Sequence, residues 1–120
     1  MSEKNDNVVQ HEWGYELVWA NKKDYLGKIM VFSKPGAKTP FFLNAETNKS
    51  MFVNYGSFKL RWISTDNGSI FEKELTEGQV WDCERLVPCS LEAKIPNSSI
   101  SVVSSGEKDD KHIVIRAESF

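Results

Sequence analysis

Few residues in this chain are equipped for chemistry. There are two histidines, His11 and His112, one near each end, and two cysteines, Cys83 and Cys89, without C-x-x-C spacing. Transition-metal sites are built from imidazole nitrogen, thiolate sulfur and carboxylate oxygen, so this inventory is thin for a metal centre. Cys89 has no neighbouring His or Asp to make it a nucleophile, and a reactive thiol needs an electropositive site. The expectation is two reduced thiols, with a disulfide or a modified thiol as the alternative. His11 reads as a surface residue close to a mobile end. Trp13 and Trp19, in HEWGYELVW, could form a sugar-stacking face, but edge and core packing is the default for both.

The bulk composition narrows the class. The chain has 120 residues, 40% hydrophobic and 12% aromatic, which suits one compact domain with a real core. Four Trp, seven Phe and three Tyr favour strands over helices. Fifteen Lys and Arg stand mixed among 17 Asp and Glu, for a net charge of -2. With no basic stripe, nucleic acid is not an expected partner. No apolar run is long enough for a membrane span. The polar opening MSEKNDNVVQ lacks the apolar core of a signal peptide, so a cytoplasmic protein is expected.

Short strands punctuated by turns must position these residues. YELVWA, LGKIMVFS, SMFVN, SFKLRWIS, SIFEKEL, QVWDC, SLEAKI, SISVVSS and HIVIRA read as roughly nine strands. In SFKLRWIS, Phe58, Leu60 and Trp62 alternate with Lys59 and Arg61, the period of a half-buried strand, which makes Trp62 core or barrel lining. Asp66-Asn67-Gly68 signals a hairpin. AETNKS has room for one helical turn at most, and GEKDDKH reads as a solvated loop. Residues 1–8 are expected to be disordered, with 9–120 as a single domain. The pattern predicts an all-β sandwich or barrel.

The spacing of the glycines resembles that of the cupins, small jelly-roll barrels whose two motifs are G, five residues, H-x-H, three or four residues, E, six residues, G, and then G, five residues, P-x-G, two residues, H. Here Gly36 leads to Phe42, Asn44, Lys49 and Gly56 at those spacings, and Gly78 leads to Cys89. The P-x-G turn is replaced by Glu84-Arg85-Leu86. Relatives with a shorter spacing would place ligands at Asn44 and Glu46, where no histidine falls either. VVQHEWGYELVW, GKIMVFSKPG and ISVVSSGEKDDKHIVIRAES resemble the cupin half of type II mannose-6-phosphate isomerases and mannose-1-phosphate guanylyltransferases.

The resemblance implies a double-stranded β-helix, the cupin jelly-roll barrel, with its pocket at Phe42, Asn44, Lys49, Trp62, Trp81 and Cys89. Trp81, following Gly78, corresponds to an inward aromatic. It implies no metal and no cofactor, because three His and one Glu have become Phe42, Asn44, Lys49 and Cys89. Lys49 is the demanding replacement, since a buried unpaired ammonium is costly. It can sit at the barrel mouth and reach water, pair with Glu46, Asp82 or Glu84, or hold an anion such as a phosphate. Facing Cys89 across the barrel, it would also activate that thiol.

The resulting expectation is a metal-free, non-catalytic protein that binds a small polar or anionic, sugar-phosphate-like molecule, or serves as an interaction domain. The alternative is a metal-independent sugar isomerase or epimerase with Lys49 as base and Tyr55 or Glu46 as acid; otherwise Tyr55 caps the barrel. A homodimer is expected from the resemblance, with residues 8–20 contributing.

Overall fold

The computed structural model describes residues 7–105 and 111–120. Among the described residues are eleven strands: β1 (Val8–His11), β2 (Gly14–Asn21), β3 (Tyr25–Phe32), β4 (Phe41–Asn44), β5 (Lys49–Tyr55), β6 (Ser57–Ile63), β7 (Ile70–Thr76), β8 (Val80–Cys83), β9 (Cys89–Ala93), β10 (Ser98–Ser105) and β11 (Lys111–Ile115). They form two antiparallel sheets. One runs β1-β2-β3-β10-β5-β8 and the other β11-β4-β9-β6-β7. After β3 the chain alternates between the sheets except at the β6–β7 hairpin, and the all-β double-stranded β-helix expected of the sequence is the fold observed. Among the described residues no helix is long and apolar enough to cross a membrane.

Period-two patterning builds the barrel wall. In the six-stranded sheet, Ile100 stands opposite both Met30 and Val53, and Val102 opposite Met51. In the five-stranded sheet, Phe58 faces Leu75 and Ala93 across its neighbours, and Leu60 faces Leu91. These two inner surfaces close on each other, and Phe32, Val53, Phe58, Leu60 and Ile100 are fully buried. Each such side chain contributes about 1.5–3 kcal/mol on burial. Trp13 stacks on Phe32 with centroids 4.5 Å apart, and Phe32 meets Phe58 edge-on at 5.0 Å, which seals one end of the barrel.

Two strands exceed the nine expected. β1 pairs with β2 from Val8 onward, and Asn7 accepts a hydrogen bond from the Val18 amide at 2.9 Å. Of the segment expected to be disordered, residues 1–6 lie outside the described residues. β4 escapes periodicity because both its ends, Phe41 and Asn44, are buried while the two residues between are half-buried. AETNKS forms no helical turn; it passes through a bend into β5. Of the expected loop GEKDDKH, residues 106–110 lie outside the described residues, and Lys111 and His112 belong to β11.

Candidate functional site

The first motif lies on β4 and β5 and the second on β8 and β9, so the four replaced positions converge on one end of the barrel. Phe42 stands opposite Cys89 in the five-stranded sheet, and Lys49 stands opposite Cys83 in the six-stranded one. Phe42, Asn44, Lys49 and Cys89 line a common interior cavity of about 40 Å³, closed by Met30, Met51, Leu91 and Val102. That is room for about three waters. Binding sites for small organic molecules run to about 300–1,000 Å³, so the interior itself does not admit a sugar.

Most polar groups around the cavity are tied to the frame. Thr39 accepts the Leu91 amide on its hydroxyl at 3.1 Å, while its carbonyl takes the Ser90 hydroxyl at 2.8 Å. Asn44 is buried, and its backbone carbonyl accepts the Leu86 amide at 2.7 Å. Lys49 is half-buried and borders two spaces, the cavity inside and a polar groove of about 580 Å³ outside. Asn48, Ser50, Asp82, Glu84 and Arg85 complete the groove. Ser50 donates to Asp82 at 2.7 Å, and Asn48 accepts the Arg85 amide at 2.8 Å, which fixes the loop that carries Arg85.

Trp62 and Trp81 do not line the interior cavity with the other four expected residues. They come from the inner faces of opposite sheets, meet with centroids 4.7 Å apart, and line a separate groove that Cys83, Cys89 and Val87 also border. Tyr55 is half-exposed at the far end of β5 from Lys49. Six residues of strand separate the two by about 20 Å, so Tyr55 cannot serve Lys49 as an acid.

Two groups were not legible as site components. The first is Cys83, whose sulfur lies 2.6 Å from that of Cys89. Its signal was present: in QVWDC an inward Trp81 requires an inward residue two places on. The Cys89 thiol, hydrogen-bonded to Cys83, lowers the Cys83 pKa; burial opposes this, and the Lys49 charge adds to the lowering. The same bond raises the Cys89 pKa, helped by burial and by charge on Cys83. Of the two, Cys83 is therefore the sulfur that loses its proton more readily. The second group involves His11, which is not the surface residue expected. It bonds Glu16 at 2.9 Å and stacks on Trp13, and Lys28 meets the other Glu16 oxygen at 2.6 Å in the barrel interior. His112 is exposed.

These residues do not fit a divalent cation. The motif positions offer a phenyl ring, a carboxamide, an ammonium and a thiol. Among the described residues no group of three or more His, Cys, Asp or Glu could hold a metal ion. An ammonium ~4 Å from a doubly charged ion costs about 8 kcal/mol at an effective dielectric of ~20.

The fold is similar to that of several solved proteins. KdgF from Halomonas sp. matches with a TM-score of 0.68 and 18% identity, over 80% of this chain and 81% of that one. Oxalate decarboxylase from Bacillus subtilis matches with a TM-score of 0.78 and 16% identity, over 89% of this chain but 29% of the decarboxylase. The capsular polysaccharide assembling protein CapF from Staphylococcus aureus gives 0.77 and 14%, over 90% of this chain and 31% of CapF. The chain thus spans about a third of the latter two proteins. At these identities the likeness establishes the cupin jelly-roll fold. No family model matches the chain, and no curated protein sequence matches it.

Proposed function

We propose that this chain is a metal-free cupin that binds a small anionic molecule bearing hydroxyl groups, of the sugar-phosphate class, and does not transform it. The observation that carries this reading is the groove at the barrel mouth. Lys49 and Arg85 offer positive charge to a phosphate, and Asp82 and Glu84 offer acceptors to hydroxyls, within about 580 Å³. The interior behind it, at about 40 Å³, takes only water. Resemblance of the motifs to mannose-6-phosphate isomerases and fold likeness to a capsular polysaccharide assembling protein both favour a carbohydrate ligand. Fold alone does not select one.

The alternative, a metal-independent isomerase or epimerase, needs an acid within reach of a base. Tyr55, one of the two acids this reading allows, lies at the opposite end of β5 from Lys49. The binding reading is therefore preferred. Pairing of two copies along β1, a margin of the six-stranded sheet, belongs to the same proposal, because an open sheet edge invites pairing. Light scattering that reads a dimer supports this part, and a monomer at working concentration removes it.

Titration calorimetry with mannose 6-phosphate and with inorganic phosphate tests the reading. Saturable binding is expected, insensitive to a chelator and weakened about 10–100-fold in Lys49→Gln, the equivalent of a lost charge-assisted hydrogen bond of about 1.5–3 kcal/mol. Binding that is unchanged in both Lys49→Gln and Arg85→Gln, or conversion of the sugar phosphate followed by NMR, would overturn it.

A further inference from the structure

Cys83 ends β8 in one sheet and Cys89 begins β9 in the other, and the five residues between them cross the barrel mouth. The two sulfurs stand 2.6 Å apart. Both also approach the Val87 carbonyl, Cys89 at 3.5 Å and Cys83 at 3.8 Å, so the crossing loop holds the thiols against each other. The Lys49 ammonium acts on both sulfurs. Both are buried, but the spaces they border differ. Both border the interior cavity and the Trp62–Trp81 groove, but Cys83 alone of the two borders the polar groove that carries Lys49 and Arg85. A reagent entering from that groove meets Cys83 first, in an electropositive setting of the kind that makes a thiol reactive.

We infer that Cys83 and Cys89 form a dithiol site for thiol–disulfide exchange, with Cys83 the attacking sulfur, Cys89 the resolving sulfur, and a small soluble disulfide as co-reactant. In the first step the Cys83 thiolate attacks one sulfur of the small disulfide. A bond forms between Cys83 and that half of the reagent, and the other half leaves as a thiolate. In the second step Cys89 gives its proton to solvent and attacks the Cys83 sulfur. The protein disulfide forms and the second half of the reagent leaves as a thiolate. The protein dithiol is oxidised by two electrons, and one small disulfide is reduced to two thiols. The product joins β8 to β9 across the mouth and removes the thiolate charge beside Lys49. This inference does not depend on the ligand proposed for the groove.

The test uses the whole, reduced, folded chain with glutathione disulfide as the probe, an acid quench and mass analysis. The wild type is expected to lose the mass of two hydrogens and to keep no glutathione. Cys89→Ser is expected to stop at a stable single adduct, and Cys83→Ser to react about ten-fold or more slowly. A glutathione adduct that persists on the wild type would overturn the inference, as would equal rates in the two variants. So would thiols that react only after unfolding, a result read on the wild type and independent of how the variants fold.

Discussion

Two glycines of the motif frame should differ sharply in what they contribute to folding. Gly56 has a φ of 88° and lies buried where β5 leaves one sheet and β6 enters the other. A Cβ at this position would fall 2.1 Å from the Ser98 hydroxyl oxygen and 2.9 Å from the Ser98 Cα. Ser98 is fully buried, and its hydroxyl donates to the Ile95 carbonyl at 2.9 Å, so it has little room to move. Gly78 has a similar φ of 84°, but its Cβ would meet nothing within 4 Å. An alanine held in the left-handed region costs about 1–2 kcal/mol, and about 0.4–1 kcal/mol returns through the less flexible unfolded chain. Gly78→Ala should therefore lose about 1 kcal/mol. Gly56→Ala carries the overpacking cost as well, about 1–3 kcal/mol, for a total of about 2–4 kcal/mol. Urea unfolding of both variants and the wild type, with unchanged slopes, reads the difference as displaced midpoints. Equal losses in the two variants would refute the argument that Gly56 is held by the Ser98 backbone. They would also weaken the view that the frame survives because the barrel needs its turns.

Other expectations follow from the buried charges and thiols. Lys28→Met should destabilise the fold by about 3–5 kcal/mol, because it strips Glu16 of its ammonium partner in the interior, while the double variant Glu16→Leu/Lys28→Met should recover most of that loss; thermal melts of the three proteins check the pair. Alkylation of Cys83 should rise with pH and reach half its maximum below the ordinary thiol value of 9.0, because the lowered pKa places the thiolate at lower pH. Peptide mapping of labelled protein across a pH series checks this, and a midpoint at or above that value would count against Cys83 as the sulfur that loses its proton more readily. Oxidation of Cys83 to Cys89 closes a short loop, so it should stabilise the fold by no more than about 2 kcal/mol, measurable as a raised urea midpoint in the oxidised form.

The strands were legible because one face of each is buried and turn residues separate them. SFKLRWIS is the clearest case: Phe58 and Leu60 point inward as the alternation requires, and Lys59 and Arg61 lie on the other face. β4 was not legible because four residues with both ends buried carry no alternation. Register explains why four expected site residues meet, since Phe42 opposes Cys89 and Lys49 opposes Cys83. Spacing could not reveal that Phe42 and its neighbours leave only about 40 Å³ inside, because cavity volume depends on packing across two sheets. Nor could it reveal the mouth groove, five of whose eight lining residues come from the 82–86 segment, where Glu84-Arg85-Leu86 replaces the second motif's turn. His11 was misjudged for the same reason: its partner Glu16 and that residue's own partner Lys28 lie on the next two strands, and only the β1-β2-β3 pairing brings the three together.

The most direct test of the central claim, a cupin barrel kept without its metal chemistry, is elemental analysis of purified, untagged protein alongside thermal melts with added zinc, nickel, iron and manganese. The expected result is metal well below one ion per chain and a melting temperature that none of the four ions raises. One tightly held ion per chain would contradict the reading of Phe42, Asn44, Lys49 and Cys89 and would restore metal-dependent catalysis as the leading function.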